Sequence, residues 1–243
     1  GSEAAQTGAL ETEAEDMTEA VIDGMDADSL SFSSLDLDLS AYDVEIVEGD
    51  AFSVRYQISR DDPDYEPVFT YKKGKLRIEQ KPEFGLDLDE LKDLAHTFAV
   101  TNAHMLITVP QGTSLDDVEL DLGVGDIKVE NLSMKELEID SGTGNVLLNH
   151  VTADSIDLDT GTGDAAISAS VFRKLQADGG TGDVSVTDIA GLEDYRIDLE
   201  TGMGKIRING DTIGGTNGFS KTGSKDQSIR IDTGMGDIIL RQI

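Results

Sequence analysis

One four-residue phrase recurs six times in the second half of the chain, and its spacing limits what the chain can fold into. It reads Gly123-Val-Gly125-Asp126, Gly142-Thr-Gly144-Asn145, Gly161-Thr-Gly163-Asp164 and Gly180-Thr-Gly182-Asp183, then Gly202-Met-Gly204-Lys205 and Gly234-Met-Gly236-Asp237. The first four copies start 19 residues apart, the fifth follows after 22 and the sixth after 32. A fixed period of this length marks a repeat architecture, in which one unit cannot bury its own apolar face and stacked neighbours supply the core.

Each repeat reads as two strands and two turns. Before the glycines the sequence alternates, as in Val118-Glu-Leu120-Asp-Leu122 and Ile156-Asp-Leu158-Asp-Thr160, and after them it alternates again, as in Ile127-Lys-Val129 and Val184-Ser-Val186. Period-two alternation sends successive side chains to opposite faces of a strand. Stepping by the repeat then aligns an apolar column, Val118, Leu137, Ile156, Leu175, Ile197 and Ile229, and a second one, Val129, Leu148, Ile167, Val186, Ile208 and Leu240. The column between, Glu119, Glu138, Asp157, Gln176, Asp198 and Arg230, is expected to face water. The expected fold is all-β, a single-stranded β-solenoid of ~19-residue coils, with residues 113–243 as its regular part.

The glycines at 123, 125, 142, 144, 161, 163, 180, 182, 202, 204, 234 and 236 supply the positive φ that a tight strand-to-strand turn demands. Asp126, Asn145, Asp164, Asp183 and Asp237 are expected to bind backbone amides and close it. The competing reading is a calcium roll, because Asp178-Gly-Gly-Thr-Gly-Asp183 resembles a Ca²⁺-binding repeat. That repeat has a nine-residue period, and Lys205 occupies an acidic place here. The turns are therefore read as structural, with no metal and no cofactor.

The run from Met105 to Leu132, MLITVPQGTSLDDVELDLGVGDIKVENL, joins a strand-Pro-x-Gly entry to the first Gly-x-Gly-Asp turn. It resembles the bacterial adhesin-like β-repeat family, also called the toast-rack domain and related to adhesin-head GIN domains. The resemblance covers roughly residues 30–243. It implies a β-solenoid, right-handed by analogy, exposed outside the cytoplasm, often on a membrane-anchored protein and sometimes beside envelope-stress systems. The family has no established catalytic residues, so none is carried over. The methionine turns and the last interval depart from its pattern.

Composition narrows the function. The formal net charge of −30 repels nucleic acid and anionic membrane surfaces. With no cysteine, disulfides and thiolate metal sites are ruled out. No 18-residue apolar run is present, so this segment is not expected to insert into a membrane. Gly1 reads as an expression scar, so the natural protein is expected to continue upstream, where any signal or anchor would lie.

Taken in order, residues 1–29 are acidic and precede the first Lys or Arg, Arg55. Leu10, Ala14, Met17, Val21 and Met25 share a helical stripe, so the segment reads either as a capping helix or as a disordered linker. Residues 30–112 read as irregular opening strands, including a hairpin of Val68–Tyr71 with Leu76–Ile78 around Gly74. Residues 82–95 break the pattern, with Leu86, Leu88, Leu91 and Leu94 suggesting a short helix or turn over the core. Residues 210–227 are the one long insertion, a place where a rigid scaffold could carry function.

The search for chemistry finds little. His96, His104 and His150 share no metal-ligand spacing, and no hydrolase elbow, phosphate loop or zinc-protease signature appears. Carboxylates recur on neighbouring coils, as in stacked glycosidases, but the chain has no Trp and few aromatics among its repeats. Two classes follow: a non-enzymatic extracytoplasmic module, adhesive or sensory, that binds a protein or cell-wall partner; or, as the alternative, a carbohydrate-active β-helix enzyme. They part on whether carboxylates converge in a groove or stay in flat rows.

Overall fold

The computed structural model describes residues 17–58, 66–80, 103–213 and 217–243. Ahead of the Gly-x-Gly-Asp region lie β1 (Thr18–Glu19), β2 (Ser34–Ala41), β3 (Asp43–Gly49), β4 (Ser53–Gln57), β5 (Val68–Lys72), β6 (Lys75–Glu79) and β7 (His104–Pro110). Long and short strands then alternate: β8 (Ser114–Val124), β9 (Ile127–Glu130), β10 (Ser133–Thr143), β11 (Val146–Asn149), β12 (Thr152–Thr162), β13 (Ala165–Ser168), β14 (Val171–Thr181) and β15 (Val184–Ile189). The C-terminal part adds β16 (Tyr195–Met203), β17 (Ile206–Ile208), β18 (Asp211–Ile213), β19 (Gly218–Lys221), β20 (Ser224–Met235) and β21 (Ile238–Gln242).

These strands build a two-sheet β-solenoid. One sheet runs β19-β16-β20-β14-β12-β10-β8-β2-β6-β5 and the other β1-β4-β7-β3-β9-β11-β13-β15-β21-β17-β18. Each regular coil gives its long strand to the first sheet and its short strand to the second. The middle coils stack parallel and in register, Leu137 opposite Val118 and Ile156, and Leu148 opposite Val129 and Ile167. Both apolar columns point between the sheets, and Val118, Leu137, Ile156 and Leu175 are buried together as expected. Burying one such side chain is worth about 1.5–3 kcal/mol, and further columns, such as Leu120, Ile139 and Leu158 and Ile127, Val146 and Val184, are buried beside them.

The stacking order differs from the order in sequence. The sixth repeat, β20/β21, lies between the fourth, β14/β15, and the fifth, β16/β17. The extra residues before the fifth repeat, with a 3₁₀ turn at Leu192–Asp194, carry the chain past one coil position that the sixth repeat then fills. The other end mirrors this. β2/β3 lies between β8/β9 and the later β6/β7.

Three expectations change accordingly. The opening section contains a true coil: β2/β3 is in register with the repeats, and Asp43 stands where they carry Asp126. It needs no glycine phrase because its outer neighbour offers a side chain in place of a turn. The Gln80 Oε1 accepts the N–H groups of Ser40 and Ala41 at 3.1 Å each, and Tyr42 fills the remaining space, buried.

The insertion at 210–227 is no free-standing loop. Its β18 and β19 pair antiparallel with β17 and β16 and cover the last coil on both sheets, as β4 and β5 cover β7 and β6 at the opposite end. Short antiparallel edges of this kind blunt the open ends of a parallel stack.

Within 17–29 the helical stripe gives way to β1 on β4, an Ile22–Met25 bridge and a 3₁₀ turn at Ala27–Ser29. Val21 is exposed while Ile22 is buried, so strand pairing along β4 overrides the helical period. Leu10, Ala14, His96 and the 82–95 segment lie outside the described residues. The Val68–Tyr71 hairpin forms, with Lys73 and Gly74 both at positive φ in its turn.

Candidate functional site: the carboxylate face

The Gly-x-Gly-Asp residues line one edge of the solenoid, where the chain passes from the long-strand sheet to the short-strand sheet. The glycines are required for two distinct reasons. Gly163 has φ +139, and a Cβ there would sit 1.9 Å from the Gly144 carbonyl oxygen. Gly161 has no left-handed φ, yet its Cβ would fall 2.5 Å from the Gly142 carbonyl oxygen. Close approach of successive turns, beyond turn conformation alone, excludes side chains.

The acidic residue of each turn acts between coils. Oδ1 of Asp43, Asp126, Asn145, Asp164, Asp183 and Asp237 accepts the N–H of Asp126, Asn145, Asp164, Asp183, Asp237 and Lys205 in turn, at 2.7–2.9 Å. Lys205 ends this ladder because its coil is the outermost in space. It needs no acceptor of its own, which accounts for the one basic residue in the series. At the other end His104 occupies the equivalent place, its Nδ1 3.6 Å from Asp43 Oδ2. His150 is an exposed corner residue with φ 52, a left-handed conformation that His tolerates better than most.

The outward face of the long-strand sheet carries two parallel columns. Strand register places Glu79, Asp38, Asp121, Asp140, Asp159, Asp178, Asp232 and Glu200 in one unbroken acidic row. Beside it run Arg77, Asp36, Glu119, Glu138, Asp157, Gln176, Arg230 and Asp198. Neighbouring strands are about 4.8 Å apart, so like charges face each other at every step of the first row and from Asp36 to Asp157 in the second, each such pair costing roughly 0.2–1 kcal/mol.

The electrostatics follow from this crowding. Partial desolvation, then the charges of Asp140 and Asp38, push the Asp121 carboxyl up. Glu138 rises through desolvation and then Glu119 and Asp157, and Asp157 through desolvation and then Asp178 and Asp159. At the β6 end a cation of the chain relieves the load. The Arg77 guanidinium binds Asp36 and reaches Glu79 at 3.1 Å. Nearer the start of these strands, Asp116, Lys135, Asp154 and Arg173 alternate in sign, with Lys135 3.2 Å from Asp116 and Arg173 2.9 Å from Asp154.

Over the middle coils the carboxylates stay in flat open rows on one side of one sheet; at the outer end, where β19 stands beside β16, a recess of about 450 Å³ gathers Asp198, Glu200, Arg230 and Asp232 beside Phe219. The other paired rings lie away from the rows: Phe32 packs on Phe52 and Tyr56 on Phe69 toward one end, and Phe172 packs on Tyr195 toward the other. Among the described residues no three His, Asp or Glu side chains converge as metal ligands, and no helix is long and apolar enough to cross a membrane. A recess of about 350 Å³ on the opposite face gathers Asp43, Glu45, His104, Asp126 and Lys128. There Lys128 pairs with Glu45 at 3.5 Å and Glu130 at 3.4 Å. Sequence inspection found the column of Glu119, Glu138 and Asp157. It missed the other as a continuous row, although Asp121, Asp140, Asp159 and Asp178 recur at the same 19-residue step.

A parallel two-sheet solenoid with close-packed glycine turns defines the structural class. The chain belongs to the Toastrack DUF4097 family, whose model matches residues 32–238. It shares its fold with a candidate cell adhesion protein of Clostridium sporogenes, at 17% identity and a TM-score of 0.53, over 94% of this chain and 100% of that one. A candidate adhesin of Bacteroides fragilis aligns at 16% identity and a TM-score of 0.41, over 92% of this chain and 100% of that one. No curated protein matches the sequence.

Proposed function

We propose that this chain is a non-enzymatic binding module of the cell surface or envelope, adhesive or sensory, which meets a protein or cell-wall partner with the flat faces of a rigid rod. The observation that carries this reading is the arrangement of the carboxylates over the middle coils: straight rows on one face, all projecting the same way, with no opposing acid or base across a cleft among the described residues there. Successive carboxylates within a row do approach the roughly 5 Å spacing of a retaining glycosidase pair. A substrate would still need to be gripped between two such groups, and over the middle coils this face has only one side. The acidic face selects partners by charge: it favours cationic surfaces and repels nucleic acid and anionic lipid. The structural relatives described as candidate adhesins are compatible with a surface location.

The test pairs two measurements on the purified chain. Binding to cell walls and to immobilised basic proteins should weaken with salt and fall when Asp121, Asp140 and Asp159 are changed together to Asn. Polysaccharide panels should release no reducing ends. Sugar release that is lost on Asp140→Asn or Asp159→Asn would replace this reading with the carbohydrate-active one. Protease treatment of intact cells should degrade the domain, and full protection in intact cells would refute the surface location.

A further inference from the structure

The displaced sixth coil has a consequence for association. In an ordinary solenoid the last coil has one neighbour and can only peel off the end. Here β20 pairs with β14 on one side and β16 on the other, and β21 pairs likewise with β15 and β17. The coil fills a slot. It brings its own buried set, Ile229, Ile231, Thr233, Ile238 and Leu240, each no more than 1% exposed. It is tied to the coils beneath it through a single stretch, residues 209–223, which contains the two edge strands β18 and β19.

We propose that residues 224–243 are an exchangeable coil, and that the slot between β14/β15 and β16/β17 accepts this segment from a second copy of the chain to give a coil-swapped dimer. The slot stays open until a sixth coil arrives, because among the described strands the fifth repeat has no parallel partner other than the sixth. Until then four strand edges, of β14, β15, β16 and β17, present unpaired N–H and C=O groups that a coil seated between them satisfies at once. Such edges are templates for any strand of matching register. A second copy offers the identical strands, with the same buried residues and the same Asp237 to receive the Lys205 N–H and to donate to Asp183. The swapped and unswapped slots hold identical contacts, and the swap draws β19 off β16, since only Thr222 and Gly223 separate β19 from β20. The choice between them is set by the tether: intramolecular filling wins at low concentration and exchange gains in proportion to chain concentration during folding.

The absence of cysteine allows a direct test. Thr181 and Met235 are cross-strand partners on the exposed turn edge. Parallel neighbours about 4.8 Å apart fall within disulfide reach. The double variant Thr181→Cys/Met235→Cys is unfolded under reducing conditions, refolded at rising concentration, then oxidised and separated without reductant. A disulfide-linked dimer should appear, with a dimer-to-monomer ratio that rises about tenfold for a tenfold rise in concentration. The same variant oxidised in its native state, without unfolding, should give internally bonded monomer. Monomer alone at every refolding concentration overturns the proposal. The unsubstituted chain, refolded in parallel and sized by gel filtration, guards against an effect of the thiols. It should show a dimer that survives dilution and reverts only through unfolding. A wild-type dimer that dissociates on simple dilution, or whose cysteine variant forms no 181–235 bond between chains, also overturns it.

Discussion

The middle of this molecule and its two ends are built on different rules. From β8 to β15 the neighbour of every residue in the next coil lies 19 positions away, and side chains, turns and hydrogen bonds repeat with it. At the C-terminal end the neighbours of Asp237 are Asp183 and Lys205, 54 and 32 residues distant, and at the other end Asp126 meets Asp43 across 83. What a position requires is therefore set by its rank in space. Lys205 belongs to the fifth repeat in sequence and the last in the stack, and only the second fact explains why it can be Lys.

The strongest test of this contrast is a charge placed in the core at each location. Ile167 is fully buried in the middle of its column, whereas Ile208, in the same column, stands in the outermost coil and is only partly buried. Ile167→Asp should cost about 4 kcal/mol or more, because it strands a carboxylate among aliphatics. Ile208→Asp should cost less than half as much. Asp157→Asn, on the outward column, should change stability by no more than about 0.5 kcal/mol. Urea unfolding of the three variants measures this, and equal losses at 167 and 208 would erase the distinction between middle and end.

Glycine gives the next largest effect. Gly163→Ala drives a Cβ into the Gly144 carbonyl, 1.9 Å away, and must push two coils apart. A loss of about 3 kcal/mol or more is expected, since strained backbone and overpacking add. Gly210→Ala, at φ +88 with nothing within 4 Å of the added atom, should lose only about 1 kcal/mol from backbone strain. Comparable melting temperatures for the two variants would mean that close approach of the turns is not what the glycines serve.

The same contrast governs how far the sequence could be read. The period, both buried columns and the turn positions were legible because each is stated several times over, and a pattern repeated at one step needs no knowledge of partners. The position of β20/β21 was not legible, since Ile229 is equally suited to sit beside Leu175 or beyond Ile197. All three belong to one column, and only the odd intervals hint at a skipped place. The coil at β2/β3 was obscured because Gln80, Ala41 and Tyr42 do there what a glycine turn does elsewhere. The β1 segment was misread because Met17, Val21 and Met25 fit a helical stripe, while the pairing of Thr18 with Tyr56 and Glu19 with Arg55 depends on a strand more than thirty residues away.

A smaller effect separates the middle of the hydrogen-bond ladder from its end. Asp164→Ala removes the acceptor for the Asp183 N–H and should cost about 1 kcal/mol. Lys205→Ala removes nothing that another coil uses and should stay within about 0.5 kcal/mol of the parent. A loss at Lys205 as large as at Asp164 would imply a further coil or partner beyond the described end.

The weakest effect, and the one that bears most on the acidic face, is its response to pH. Asp121, Glu138 and Asp157 sit in the middle coils, with carboxyls raised above their ordinary values by desolvation and then by neighbouring carboxylates. A raised carboxyl holds its proton more tightly folded than unfolded. The folded state is then favoured at low pH, and that contribution is lost as pH rises from about 4 through the folded value. Asp154, held below its ordinary value by its hydrogen bond with Arg173, acts in the opposite sense, in the window below about pH 4. As pH falls from 7 toward about 4 the melting temperature should therefore rise, and added salt at pH 7 should raise it too by screening the rows. In the triple variant Asp121→Asn, Glu138→Gln, Asp157→Asn most of that rise should vanish, with stability at pH 7 no lower than the parent's. Arg77→Gln, which unbalances the end already neutralised by the chain, should leave the rise at least as large. A melting temperature that falls steadily from pH 7 toward about 4 in the parent would mean that the acidic rows do not strain the folded state.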